Sequence, residues 1–319
     1  MAPAFPTQNH HGNLTGILAM LVAMFSFCTS DMLVKLLTES LPLGEVMFVR
    51  GLVTIVLIGA LAARLGELHG FRRVLHRSVF LRTLGEVMAA IFFLTALIHL
   101  ALPTVTIIHQ AVPLAVAAAS AGVLGESVHW RRWTAIAVGF LGVIVVMRPG
   151  LEGFSPWSLL VIGAVLSVTL RDLSTKFIPS AVPTVLVVAV ACVAATAAGG
   201  GMGLFLSEPW RMPEGVEIAY LVGGAVCLTV GHWFIILALR VGSPSVSTGF
   251  RYSVVVWALV YGYVIWGDRP DTLTWIGTTM IVGSGVYTFH RERLLARRAL
   301  AGYHAGANEQ TATAERGGG

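Results

Sequence analysis

The sequence predicts an all-α membrane protein: ten transmembrane helices arranged as two inverted five-helix repeats. Three observations predict it. The 319 residues are 56% hydrophobic and only 12% charged, where an ordinary soluble domain carries about 25% charged residues. A water-soluble fold of this size has no way to hide so much apolar surface, which excludes a soluble enzyme. The apolar residues fall into ten runs of the length needed to cross a bilayer, about 20 residues for roughly 30 Å of hydrocarbon. Finally, residues of one half return in the other at a near-constant offset. The formal charge of +5 does not call for nucleic acid, because membrane proteins gather Lys and Arg in cytoplasmic loops.

Taken in order, the runs are 14–36, 43–63, 79–100, 104–125, 132–148, 157–172, 181–206, 216–239, 246–266 and 272–289. Turn chemistry separates them at Pro42, Pro103, Pro149-Gly150, Pro179, Pro209, Ser243-Pro244 and Arg269-Pro270. No basic segment precedes the first run, and that run is too long for a signal-peptide core, so it is expected to remain as a helix. Residues 1–13 read as a cytoplasmic tail, and 291–319 as a basic, then disordered, cytoplasmic tail. Cys28, Cys192 and Cys227 lie inside apolar runs and read as small buried residues, with neither disulfide nor metal-site spacing. With the N-terminus inside, fourteen basic residues fall on the cytoplasmic side, among them Arg131, Arg132, Arg171 and Lys176. Three, Arg148, Arg211 and Arg269, fall opposite. That bias places both termini in the cytoplasm.

Most runs have polar residues that need a reason, since an ionisable group inside a span is costly. Run one ends in Asp31 and Lys35, spaced i, i+4. Run two carries Arg50, with Glu45 or Asp31 as partner. In run three Arg82 and Glu86 share a helix face, either as a self-neutralising pair or as a gate or coupling carboxylate. Run four holds His109-Gln110 ahead of Pro113, and a proline-broken helix with polar neighbours points to a water-accessible cavity. Gly139 and Gly142 in run five, like Gly283 and Gly285 in run ten, read as small faces for close helix packing, with homodimerisation as a further use. Run six ends in Asp172 and Lys176, again i, i+4. Run eight contains His232-Trp233, a histidine that can titrate during transport. Run nine opens on Arg251-Tyr252, where a guanidinium forks onto an anionic group and a phenol stacks or donates. Gly125-Glu126 and Gly267-Asp268 end runs four and nine and read as turns.

The halves match. Asp31-x3-Lys35-x6-Pro42 returns as Asp172-x3-Lys176-x6-Pro183, displaced by 141 residues; Phe92, Ala96 and Leu97 return as Phe234, Ala238 and Leu239, displaced by 142. Gly125-Glu126 and Trp133 return as Gly267-Asp268 and Trp275 at the same 142. Five spans per half is an odd number, so the second half enters the membrane from the opposite side. Such inverted repeats are typical of carriers with a site at the repeat interface. The same offset sets Arg251 opposite His109 and Tyr252 opposite Gln110.

These residues carry a resemblance. A ten-span, five-plus-five chain with Asp31, Lys35 and Pro42 closing span one, Arg50 in span two, Ala96-Leu97 closing span three and Gly125-Glu126 before a Trp-containing fifth span resembles the EamA group of the drug/metabolite transporter superfamily. The resemblance runs over about residues 14 to 290, as a first repeat 14–149 and a second 157–290. Gly249-Phe250-Arg251-Tyr252 and Gly267-Asp268-Arg269-Pro270 look closest to the branch of S-adenosylmethionine-type carriers. What the resemblance implies is a secondary carrier of small organic metabolites in the bacterial inner membrane.

No GxxxxGK[ST] and no HExxH occurs, so no nucleotide, metal or other cofactor is expected. The expected substrate-binding residues are Arg251, Tyr252, His109, Gln110, His232, Trp233 and Arg50, between spans three, four, eight and nine. Arg82, Glu86, Asp31, Lys35, Asp172 and Lys176 are expected to gate or couple. Cations slightly outnumber carboxylates within the spans, which favours an anionic or zwitterionic metabolite such as an amino acid. The rival is a membrane-embedded enzyme acting on a lipid or lipid-linked substrate, for which His109 and His232 have no carboxylate or Ser partner nearby.

Overall fold

The computed structural model describes residues 10–64, 76–124, 130–151, 154–179, 182, 184–206, 209–241, 248–291 and 294. Among the described residues the chain is helical, without strands. Helices are what apolar runs form in lipid, because every backbone polar group must then be satisfied within its own segment. The elements are α1 (His10–Leu37), α2 (Leu43–Arg64), α3 (Arg77–His99), α4 (Leu102–His109), α5 (Val112–Leu124), α6 (Trp130–Met147), α7 (Ser158–Thr175), α8 (Thr184–Phe205) and α9 (Val216–Val241). A 3-10 turn, Thr248–Tyr252, leads into α10 (Ser253–Tyr261), which widens into a π turn, Gly262–Trp266. The last helix, α11, covers 272–291. Among the described residues nine segments are long and apolar enough to cross a membrane, the last being Gly249–Trp266. The element α11 lies over the tenth expected run.

Span four is two helices. Pro113 has no amide hydrogen to offer the His109 carbonyl, and the chain tightens at Gln110–Ala111, where the Ala111 amide donates to Ile108 O at 3.0 Å. Span nine has its own joint at the equivalent place, where the 3-10 turn passes into α10 at Tyr252–Ser253. The far end of span nine closes as expected of Gly267. Its φ of 70° lets the Asp268 amide reach back to Gly262 O at 2.9 Å, an arrangement open to glycine without strain. Gly125-Glu126, the matching turn, lies outside the described residues, as does Pro183.

Three antiparallel pairs build the bundle: α1 on α9, α3 on α7 and α2 on α8. Between helices in lipid the hydrophobic effect offers no drive, so close van der Waals contact and small residues hold them. Each pair accordingly closes on a glycine. A Cβ on Gly85 of α3 would lie 2.7 Å from Ser167 O and 2.8 Å from Arg171 N of α7; one on Gly199 of α8 would lie 2.7 Å from Met47 Cβ. One on Gly231 of α9 would meet the Phe27 ring at 2.8 Å. Of the glycines expected to form small faces, Gly139 and Gly142 of α6 do pack closely on α11. A Cβ on Gly139 would meet Ser284 Oγ at 2.6 Å, and Gly142 and Gly277, the latter outside that expectation, each lie against the other's carbonyl. Gly283 is not part of this packing, since a Cβ there would meet no other element within 4 Å, and Gly285 packs on a tyrosine, Tyr252. Met20, Leu97, Leu102, Ile107, Ile108 and Leu114 fill the core, while Leu18, Val56, Phe80, Leu166 and Val264 face outward.

Where α1, α3 and α6 end and α11 begins, the elements are tied together. Lys35 Nζ donates to Leu97 O and Leu100 O, both at 2.6 Å, using the terminal carbonyls that α3 leaves without helical partners. The Lys35 ammonium also lies 5.6 Å above the Trp266 ring, whose Nε1 donates to Glu39 Oε1 at 2.9 Å. The Thr29 and Tyr261 hydroxyls join α1 to α10 at 2.7 Å. Arg148, in the left-handed region at φ 52°, pairs with Asp271 and donates to Thr274 Oγ1 at 3.3 Å.

Candidate functional site

At the opposite end, where α5 and α7 finish and α6 and the 3-10 turn begin, the helices part around a cavity of about 580 Å3. That lies within the range of roughly 300–1,000 Å3 usual for small-molecule sites. Its lining joins both halves of the chain: Ser120 of α5, Arg132 of α6, Asp172 of α7 and Lys176 just past its end, Arg251 and Tyr252 of the 3-10 turn, Thr288 of α11. The two breaks position it. Gln110, at the joint of span four, donates through Nε2 to Arg251 O at 3.4 Å, so one polar pair holds the backbone of the other. The Arg251 guanidinium makes no hydrogen bond among the described residues and belongs to a residue of the cavity lining, which it shares with the Asp172 carboxylate.

Behind Asp172 runs a chain of charge. Gly85 lets α3 and α7 approach at their backbones, which brings Glu86 within 3.3 Å of Arg171, while Arg82, one turn earlier on α3, lies 3.6 Å from the same carboxylate. Arg171 Nε in turn donates to Asp172 Oδ1 at 2.8 Å. The sequence reading assigned Arg171 to a cytoplasmic turn; α7 runs on to Thr175 and carries it inside the helix. The reading of Asp31–Lys35 and Asp172–Lys176 as two i, i+4 pairs also changes. Lys35 prefers the α3 carbonyls, and the charged neighbour of Asp31 is Arg50. Asp172 takes Arg171, and Lys176 reaches Ser120 Oγ at 3.1 Å. An ammonium on a flexible stem goes where carbonyls and hydroxyls are unserved, which spacing alone does not reveal.

The remaining expected site residues stand around this centre. His109 packs edge-to-face on Phe93 with centroids 5.0 Å apart, among the charges of Arg171, Arg251 and Asp172. Arg50 lies in another layer, donating to Ser30 Oγ at 3.2 Å, and Glu45 accepts from the Arg211 amide instead. His232 Nδ1 lies 2.8 Å from Leu228 O in its own helix, so that nitrogen carries the proton, and its ring packs edge-on to Phe27. Trp233 is 48% exposed on the outer surface, in a shallow groove with Leu57 and Arg64. Ser120 and Thr288 carry no signal in the sequence, and Gly285 reads there only as part of a packing face: isolated small residues in an apolar helix look the same in a packed face and in a cavity wall.

Comparison with known proteins completes the picture. The description EamA-like transporter family matches twice, over residues 14–148 and 155–289. An S-adenosylmethionine uptake transporter of Rickettsia felis is 25% identical over 88% of this chain and 94% of its own. A pseudopaline exporter of Pseudomonas aeruginosa is 26% identical over 84% of this chain and 93% of its own. A riboflavin transporter of Vibrio cholerae is 27% identical over 55% and 58%. One crystal structure shares the fold with a TM-score of 0.58 at 20% identity, covering 88% of this chain and 99% of that one. These relatives are named as transporters, which removes the membrane-embedded enzyme. The chain belongs to the EamA-like transporter family, a multi-pass membrane transporter and not an enzyme.

Proposed function

We propose that the protein is a secondary carrier that binds a small anionic or zwitterionic organic solute at Arg251 and moves it across the bacterial inner membrane by alternating access. One observation carries this reading. A cavity at one end of the bundle gathers Arg251, Tyr252, Asp172 and Lys176 of the second half with Ser120 and Arg132 of the first, while the other end is tied through Lys35, Trp266 and Arg148. A site reachable from one side only is the arrangement an alternating carrier passes through. Ten spans, an inverted relation between 14–149 and 157–290, and cytoplasmic termini belong to the same proposal. In its support, the family match occurs once per half. Exchanging the halves also turns the α1–α9 contact into α3–α7 and leaves α2–α8 unchanged.

The test is flux of radiolabelled carboxylates and amino acids into sealed vesicles. Arg251→Ala is expected to abolish uptake with membrane abundance near wild type. Arg251→Lys restores part of it, since an ammonium keeps the charge but loses the fork. Tyr252→Phe weakens binding by about 1 kcal/mol, the worth of one hydrogen bond. Normal flux in the alanine variant removes Arg251 from the site; loss of flux together with loss of protein makes it structural.

A further inference from the structure

Adjacent residues at the cavity end of the bundle serve two different places. Arg132 at the start of α6 and Thr288 near the end of α11 belong to the cavity lining. Their neighbours Arg131 and Tyr287 line a separate groove of about 450 Å3 on the outer surface. Consecutive helical positions point about 100° apart, so one turn of each helix can serve both. The groove follows from how α6 and α11 pack. They close where Gly142 meets Gly277 and where Gly139 meets Ser284. Beyond Ser284 the residues are Thr134, Arg131 and Tyr287, too large for the same approach, and a channel remains that Ala135 and Val138 also line. Its membrane-surface end is aromatic and basic. Trp130 is 64% exposed and Tyr287 46%. The Arg131 guanidinium lies 5.4 Å from the Trp130 ring centroid, and Arg291 Nη1 donates to the Tyr287 hydroxyl at 3.2 Å. Stacking uses a face of the guanidinium and leaves its N–H edge for another partner. No carboxylate lines the groove.

We propose that this groove binds an anionic phospholipid, its headgroup phosphate on Arg131 and Arg291 and an acyl chain along Ala135 and Val138. The groove matches such a molecule along its whole length. Tryptophan and tyrosine favour the depth of the headgroups, and basic pockets between helices at a membrane surface take anionic ones. A free anion would use the arginines and leave the apolar stretch empty. A second copy of the chain, related by a twofold axis through the groove, would set these arginines against their own counterparts. The lipid bridges α6 and α11 at the ends that also wall the cavity. This inference does not depend on what the cavity binds.

The experiment uses the full-length protein in detergent, with dioleoyl phosphatidylglycerol and dioleoyl phosphatidylcholine as probes of equal chains and unequal net charge. Mass spectrometry of the intact complex reads the lipid retained and its half-saturating concentration. Phosphatidylglycerol is expected to bind at least about fivefold more tightly, the worth of one arginine near a lipid surface, because the arginines repel the choline cation. Arg131→Ala and Arg291→Ala each bring that ratio toward one. Arg131→Lys keeps part of it, since the charge remains and the fork is lost. Arg269→Ala, at an exposed arginine of the tied end, leaves it unchanged. A ratio near one in the wild type, or one that survives the double variant Arg131→Ala/Arg291→Ala, overturns the proposal. An equal fall in Arg269→Ala overturns it too, by reporting net charge alone. Displacement of the lipid by inorganic phosphate would show a free-anion site, and a lipid-free dimer would show a second copy on this face; either refutes the lipid site. No flux is measured here, so the carrier reading stands or falls by its own test.

Discussion

Asp271 shows how one side chain can serve a helix and a tie at once. It stands just before α11 and accepts from the Thr274 amide at 3.0 Å and the Thr274 hydroxyl at 2.7 Å, an N-cap at the positive end of the helix dipole. Arg148 reaches it from the end of α6. These contacts hold its carboxyl down at about 2, the Thr274 hydroxyl first, then the Thr274 amide and Arg148. Because the folded value lies below the ordinary one of about 3.9, this contribution to stability is complete above pH 4 or so. It is lost as the pH falls toward 2. Unfolding temperature measured across that window should therefore decline more steeply for the wild type than for Asp271→Asn, whose side chain has no charge to lose. Parallel acid limbs would show that the tie adds no stability. At this scale the sequence was only half legible. Arg251, Tyr252, Asp172 and Lys176 announced themselves as charges and phenol in apolar runs, and they do share the cavity. Their partners did not, because Lys35 chose backbone carbonyls and Thr288 carries no signal that distinguishes it from any small helical residue.

Among the elements, α3 and α7 depend on one contact. With hydrogen as its side chain, Gly85 allows the two backbones to approach until Glu86 meets Arg171. Gly85→Ala forces a Cβ against the Ser167 carbonyl and the Arg171 amide, atoms of a backbone that has no rotamer to yield. The expected loss is about 1–3 kcal/mol, the usual cost of overpacking, with Glu86 drawn away from Arg171. The unfolding temperature checks this, and Gly59→Ala, at a glycine with open space around it, is the control that should change little. Element positions were almost wholly legible, since hydropathy and proline mark helix ends: the expected run 43–63 lies on α2 and 216–239 on α9. The joint of span four was legible from Pro113. That of span nine, which has no proline near Tyr252, was visible only through its register with span four.

For the whole molecule, the decisive question is whether the second half enters the membrane upside down. Arg73 and Glu152 lie outside the described residues, and the proposed inverted arrangement would place them on opposite sides of the membrane. A single cysteine in place of Glu152 should react with an impermeant thiol reagent from outside the cell. One in place of Arg73 should react only after permeabilisation. The same sidedness for both would refute the ten-span arrangement and the inverted repeat with it.

The tied end also contains its own optical reporter. Trp266 donates its indole N–H to Glu39 and lies beneath the Lys35 ammonium, and indole emission responds to both the hydrogen bond and the nearby charge. In a variant that keeps Trp266 as the sole survivor of the eight tryptophans, opening of this end exchanges both partners for water. The emission maximum should then move to longer wavelength when solute is cycled across the membrane. An emission spectrum that stays fixed during active transport would mean that this end never parts, and that the solute leaves by another route.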